Sequence, residues 1–274
     1  MRLFRHLILV IVVLAVVLST VWTVFAFSVR DRYVVPILMY HRVGDSPSNS
    51  IYHQGVHHES LNAVSVKVFD RQMAYLKNNG YTVISLADLV EGFHKSRMFD
   101  RKTAVITFDD GYKDNYTNAF PILKKYDLPA TVFVISDSVG TADFMTWEQL
   151  KEIDKAGFKV GSHTRRHAYL PDLGGDISRL EDEIINSKKI LEEKLGQPVL
   201  FFSYPSGGFG DSIKEVIKKA GYVGACATNR GYDRFNRDVY ELKRIRINGD
   251  DIDIVLFMKL SGYYNLLRKS KSPY

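Results

Sequence analysis

Cysteine is nearly absent: Cys226 is the only one in 274 residues. That excludes an intramolecular disulfide and a thiolate-rich metal cluster. It leaves Cys226, within Val223-Gly224-Ala225-Cys226-Ala227, as a small buried hydrophobe. Histidine is absent after His167, so no imidazole from the C-terminal part of the chain can take part in any chemistry. No Pro/Gly/Ser linker, sequence repeat or low-complexity tract divides the chain. The formal charge of +6 is dispersed and accompanies no nucleic-acid motif, which argues against a nucleic-acid partner; it is compatible with an anionic cell envelope or polymer nearby and equally with nothing in particular. With 46% hydrophobic and 25% charged residues, the composition is globular, not disordered.

One long apolar run is present. Leu7 to Phe27 is interrupted only by Ser19, Thr20 and Thr23, and it follows Arg2 and Arg5. A bilayer span needs about 20 residues, whereas signal-peptide cores run about 7–15. Residues 1–30 therefore read as a signal-anchor. A cleaved signal peptide is the alternative, since Val24-Phe25-Ala26 offers a small-residue cleavage site. Either places the rest extracytoplasmic, membrane-anchored or secreted, and the leading arginines agree with that orientation. Residues 34–274 read as a single domain.

Within that domain, β-rich apolar runs alternate with amphipathic helical ones. Strands are expected at Val34–Tyr40, Tyr81–Ser85, Ala104–Phe108, Ala130–Ile135, Phe158–Gly161, Val199–Ser203, Tyr222–Ala227 and Leu242–Ile247. Helices are expected at Phe69–Asn78, Leu86–Lys95, Tyr116–Tyr126, Thr146–Ala156, Ile177–Leu195 and Ser212–Ala220. Thr146 with Gln149 forms a capping box, and Gly157 and Gly221 stand as C-terminal stops. This alternation predicts an α/β fold with parallel strands, closed as an irregular (β/α)7–8 barrel or left as an open doubly wound sheet. In both, chemistry gathers at the carboxyl ends of the strands. The unusual polar groups follow that rule: Tyr40-His41, Asp109-Asp110, His163 and Tyr204-Pro205-Ser206-Gly207 each come at or just beyond the end of an expected strand.

Asp109 and Asp110 are adjacent carboxylates, and like charges raise one another's pKa unless a cation or a shared proton relieves them. Neighbours on an extended chain point in different directions, so one can bind a metal while the other faces a substrate. His163 and His167 are four residues apart. On a helical turn or in a tight loop, both imidazoles turn toward one point, and a carboxylate from another strand would complete a three-ligand metal site with an open position. Such a donor set suits Zn2+ or another late divalent ion, with Co2+, Ni2+ or Mn2+ as alternatives.

These residues carry a family resemblance. Thr107-Phe108-Asp109-Asp110-Gly111-Tyr112 resembles the first motif of the polysaccharide deacetylases, the NodB-homology or carbohydrate esterase family 4 domain. Ser162-His163-Thr164-Arg165-Arg166-His167 resembles the second motif. Phe202-Ser203-Tyr204-Pro205-Ser206-Gly207 resembles the third, with Phe202 where many members carry arginine. The resemblance spans Val34 to Ile247. It implies an irregular barrel and a metal-dependent hydrolase that removes N-acetyl groups from N-acetylglucosamine-containing polysaccharide. It further implies Asp110, His163 and His167 as metal ligands and Asp109 as general base. Tyr204 would supply an oxyanion donor through its backbone N–H, and Tyr204, Pro205 and Gly207 would line the substrate site. The family's late histidine acid is missing. Ile37-Leu38-Met39-Tyr40-His41-Arg42-Val43 resembles the strand-one motif of the poly-N-acetylglucosamine branch, where the elements are permuted, which makes His41 the acid. A lone histidine at a strand end can also be an ordinary hydrogen-bonded residue. Arg244 matches the arginine that pairs with the base in that branch, the alternative being an exposed edge arginine.

Three weaker features remain. His53, His57 and His58, in the loop from Gly44 to Asn62, could line a groove or simply be solvated. Phe201, Phe202, Tyr204 and Phe209 could stack sugar rings or pack a core. Tyr263, Tyr264 and the basic Arg268-Lys269-Lys271 tail have no assigned role. The competing readings are a catalytically degenerate glycan-binding relative and an O-acetyl esterase on the same fold. Fractionation of cells should recover the full-length chain with membranes, its C-terminal part open to external protease. A soluble cytoplasmic full-length protein would contradict the anchor reading.

Overall fold

The computed structural model describes residues 2–30, 33–44, 63–231, 233, 236–249, 251, 253–262, 264 and 271–274. The loop carrying His53, His57 and His58 lies outside the described residues, as do Tyr263, Arg268 and Lys269. Helix α1 (Arg2–Arg30) contains the apolar run, and its side chains from Ile8 to Val24 are exposed. Among the described residues no helix is long and apolar enough to cross a membrane.

The barrel begins with β1 (Ile37–Tyr40). A short parallel pair follows, β2 (Arg42–Val43) with β3 (Ala63–Val64). Next come α2 (Val66–Asn78), β4 (Thr82–Val83), α3 (Leu86–His94) and β5 (Thr103–Phe108). A π-helical turn (Asn115–Ala119) then leads into α4 (Phe120–Tyr126). The chain continues through β6 (Thr131–Val134), α5 (Trp147–Lys155) and β7 (Lys159–Ser162). Then α6 (Ile177–Glu181), a second π-helical turn (Asp182–Asn186) and α7 (Ser187–Leu195) form one interrupted helical run. β8 (Phe201–Ser203), α8 (Asp211–Lys219), β9 (Gly224–Ala227), β10 (Leu242–Lys243), β11 (Ile245–Arg246) and α9 (Asp253–Leu260) complete the order.

All strand pairings are parallel, in the order β10-β9-β8-β7-β6-β5-β1-β11, with β4 beside β5. β10 pairs with β9 and β11 with β1, so the segment from Leu242 to Arg246 joins both ends of the sheet and nearly closes a barrel. The expected strand Leu242–Ile247 is therefore split at Arg244, whose N–H leaves the ladder for Thr228 O at 3.0 Å. The first strand is shorter than Val34–Tyr40. Pro36 has no N–H to donate, and Val34 donates to Gly262 O beyond α9.

Alternation along the strands separates two cores. Ile37, Val105, Phe133, Phe201, Cys226 and Leu242 form one apolar cluster with α3 residues Leu86, Leu89 and Val90. Their strand neighbours Leu38, Tyr40, Ala104, Ile106, Phe108, Val132, Val134, Phe202, Ala225 and Ala227 pack with the surrounding helices. The capping box at α5 is formed by Thr146 and Gln149. Gly157 ends the same helix at φ +94°, where its N–H reaches Asp154 O and the N–H of Phe158 reaches Ile153 O, the paired bonds of a Schellman stop. The helix α9 and the two π turns were not legible from hydrophobic spacing.

Candidate active site

Above the inner apolar cluster the inward positions turn polar. Thr107, Asp109, Ser203 and Arg244 are all buried. Arg244 donates from Nη1 to Asp109 Oδ1 and from Nη2 to Asp109 Oδ2, both at 2.7 Å. Its remaining donors reach Ala227 O at 3.0 Å, Thr107 Oγ1 at 3.2 Å and Ser203 Oγ at 2.8 Å. Burial alone would raise the Asp109 carboxyl, but the Arg244 guanidinium outweighs it and holds the group well below the usual carboxylate range. Phe202, at the position where the third-motif resemblance would place an arginine, packs in the core beneath the surrounding helices. The guanidinium arrives instead from the join between β10 and β11, so Arg244 is no exposed edge residue.

Asp110 leaves β5 in the left-handed region at φ +73°, a conformation that costs a non-glycine residue roughly 1–3 kcal/mol and that clusters at functional sites. The turn sends its carboxylate away from Arg244. Asp110 Oδ1 lies 3.5 Å from His163 Nε2 and 3.6 Å from His167 Nε2. The three potential ligand atoms fall within 4.8 Å of one another. His163 and His167 reach this point from a loop, not a helical turn, with Thr164 at φ +66° and His167 at φ +60°.

The donor chemistry fits a cation. His163 Nδ1 is 2.8 Å from the Ser203 carbonyl, which only accepts, so Nδ1 carries a proton and, in the neutral imidazole, the Nε2 lone pair faces Asp110. A lone pair and a carboxylate oxygen facing each other call for a positive charge between them. Asp110, His163 and His167 could thus hold one divalent ion.

His41, following β1, is partly buried, and its Nδ1 has no hydrogen-bond partner among the described residues. Its backbone carbonyl accepts from Asn115 Nδ2 at 2.7 Å. Burial lowers the His41 pKa, and the opposing pull of Asp110 and Asp109 recovers only part of that.

The third motif needs correction. The Tyr204 N–H already donates to Cys226 O at 3.0 Å, so it has no hydrogen to offer an oxyanion. The Tyr204 side chain is buried, with its hydroxyl donating to Tyr240 O at 2.8 Å, and it cannot line a substrate groove. Phe201, Phe202 and Phe209 are equally buried and serve packing, not sugar stacking. Pro205 and Gly207 are the buried legs of a turn, and a Cβ on Gly207 would lie 2.7 Å from Thr228 N. The exposed tip is Ser206, at φ +54°, whose N–H has no backbone acceptor among the described residues.

Sequence reasoning also missed Ser203 and Tyr112. Ser203 faces inward as the alternate of Phe202, a signal present in the strand period. Burial, with the nearby Asp110 carboxylate, raises the Tyr112 pKa, and the Arg42 guanidinium lies 3.9 Å over its ring.

The family profile described as Polysaccharide deacetylase matches residues 96–225. That stretch contains both aspartates, both histidines and the Ser206 turn, and excludes His41 and Arg244. YxkH of Bacillus subtilis (strain 168), named for the same family, is 33% identical over 214 residues, covering 78% of this chain and 71% of that protein. The poly-beta-1,6-N-acetyl-D-glucosamine N-deacetylase of Staphylococcus aureus (strain MRSA252) is 30% identical over 228 residues, covering 78% of each. The Streptococcus pyogenes deacetylase PplD, solved in complex with acetate, superposes with a TM-score of 0.71 at 30% identity, over 82% of this chain and 97% of that one.

Asp109→Asn leaves a buried guanidinium facing a neutral amide. It should lower the stability of the metal-free chain by about 3–5 kcal/mol at pH 7. The native pKa is depressed, so this stabilisation is complete above the unfolded value of about 3.9 and is lost as pH falls through the native one. Denaturant titrations from pH 7 downward should show a flatter acid limb for the variant. Parallel curves would contradict the pairing.

Proposed function

The chain belongs to the polysaccharide deacetylase family, and from that premise we propose that it is a metal-dependent hydrolase removing N-acetyl groups from N-acetylglucosamine-containing cell-envelope polysaccharide. Poly-N-acetylglucosamine and peptidoglycan both present the required amide, and the former is named as the substrate of the staphylococcal relative. The observation that carries this reading is a division of labour between adjacent carboxylates. Asp109 is tied at both oxygens to Arg244, while Asp110 turns away to meet two imidazoles.

Asp110, His163 and His167 would hold the ion, with Zn2+ favoured over Co2+, Ni2+ or Mn2+. When bound, a divalent ion supplies a Lewis acid that polarises the acetamide carbonyl and makes water nucleophilic near neutral pH. Asp109 takes a proton from the attacking water. Its pairing with Arg244 keeps it ionised and fixed in orientation, and leaves lone pairs on its oxygens for that proton. The water oxygen bonds to the amide carbon, and the Ser206 N–H at the turn's tip is the donor available to the developing oxyanion. His41 then gives a proton to the sugar nitrogen as the C–N bond breaks, releasing acetate and a free amine. The segment 1–30 would export this domain and hold it at the membrane, in keeping with an envelope substrate.

Full-length chain loaded with Zn2+ should release acetate from poly-N-acetylglucosamine or peptidoglycan. His41→Ala should keep its metal and its melting temperature yet lose about 10²–10⁴-fold in rate, and with it the decline of activity as pH rises. Absence of acetate from every N-acetylated polymer would contradict the reading. Near-native rates in His41→Ala would remove His41 from the mechanism.

A further inference from the structure

Between the two histidines, Arg165 and Arg166 carry backbone N–H groups that no sheet satisfies. Both donate to one side-chain oxygen, Glu183 Oε2, at 3.0 and 2.9 Å. The other carboxylate oxygen lies 2.8 Å from Arg166 Nε, and the Glu183 carbonyl accepts from Arg165 N–H at 3.1 Å. Glu183 is only 2% exposed. A buried carboxylate spent on backbone N–H groups, when exposed carboxylates could serve its arginine neighbours, calls for an explanation. Asp182 and Asp137 already pair with those side chains: Arg165 Nη1 reaches Asp182 Oδ1 at 2.7 Å, and Arg165 Nε reaches Asp137 Oδ1 at 3.0 Å.

We propose that Glu183 is a positioning residue for the metal site: its carboxylate holds the His163–His167 loop in the shape that converges both imidazoles on Asp110. Two observations support it independently. The loop needs Thr164 at φ +66° and His167 at φ +60°, conformations that persist only where surrounding contacts over-determine them. Glu183 also sits in the π turn Asp182–Asn186, and such one-turn bulges recur at functional sites because an extra residue re-aims the side chains.

The inference rests on the metal reading above, and the wild-type chain tests that reading separately. Zn2+ affinity of the full-length protein is measured by competition with a chromogenic chelator, alongside the metal-free melting temperature. Wild type should bind about one ion. Glu183→Ala should weaken binding by about 10–100-fold, as losses behind metal ligands typically do. Glu183→Gln retains volume and one acceptor but faces an NH2 against a donor in either orientation, the two backbone N–H groups in one and Arg166 Nε in the other, so it should lie between the two. Asp182→Asn alters the same arginine contacts without touching the loop backbone and should bind as wild type does. If Glu183→Ala does not fold, Glu183→Gln carries the test. Wild-type affinity in Glu183→Gln at a native melting temperature overturns the proposal, and so does an equal loss in Asp182→Asn. A wild-type chain that binds no ion overturns the metal reading, seen before any variant is made.

Discussion

The ion pair between Arg244 and Asp109 is the constraint on which the site depends. Two charges removed from water cost several kcal/mol each, and the cost is offset only when every donor and acceptor is used. Arg244 meets that condition through Asp109, Thr107, Ser203 and the Ala227 carbonyl. To deliver the guanidinium, the last strand breaks at Arg244, pairing with β9 before it and β1 after it, so the residue that nearly closes the barrel also occupies its mouth. Held at both oxygens, Asp109 cannot turn toward the imidazoles. Asp110 can, through its left-handed turn. Ser203 ties the two halves together, since its hydroxyl meets Arg244 and its carbonyl fixes the His163 tautomer.

Support comes from outside the barrel by a repeated device. Each of the two π turns aims one buried polar side chain at a loop beyond a strand end. Asn115, opening the first, donates to the His41 carbonyl, and Glu183, within the second, accepts from Arg165 and Arg166. Local helical irregularity thus supplies backbone partners to loops that the sheet cannot satisfy.

The sequence period exposed the buried strands well. Thr103–Phe108 is buried at all six positions, as a continuous apolar run ending in two carboxylates suggested. The Asp110, His163 and His167 convergence was legible because short motifs fell at the carboxyl ends of β5 and β7, the two strands that flank β6. Arg244 was legible as a candidate, though not its depth of burial, because the inward turn depends on a change of partner that a strand pattern does not encode. The Tyr204 assignment failed for a related reason. Whether a strand-end N–H is free depends on the neighbouring strand, here Cys226, and the available N–H belongs to Ser206 two residues on. The π turns were hidden because one extra residue barely changes an amphipathic period.

Asp109 is tied to Arg244, and the proposed division of the two aspartates gives Asp110 to the metal. Anomalous diffraction at the zinc edge on crystals of the Zn2+-loaded protein tests it directly. One peak is expected about 2.0–2.2 Å from an Asp110 oxygen and from the Nε2 atoms of His163 and His167, with Asp109 still paired to Arg244. A peak coordinated by Asp109, or no peak among these three residues, would contradict it.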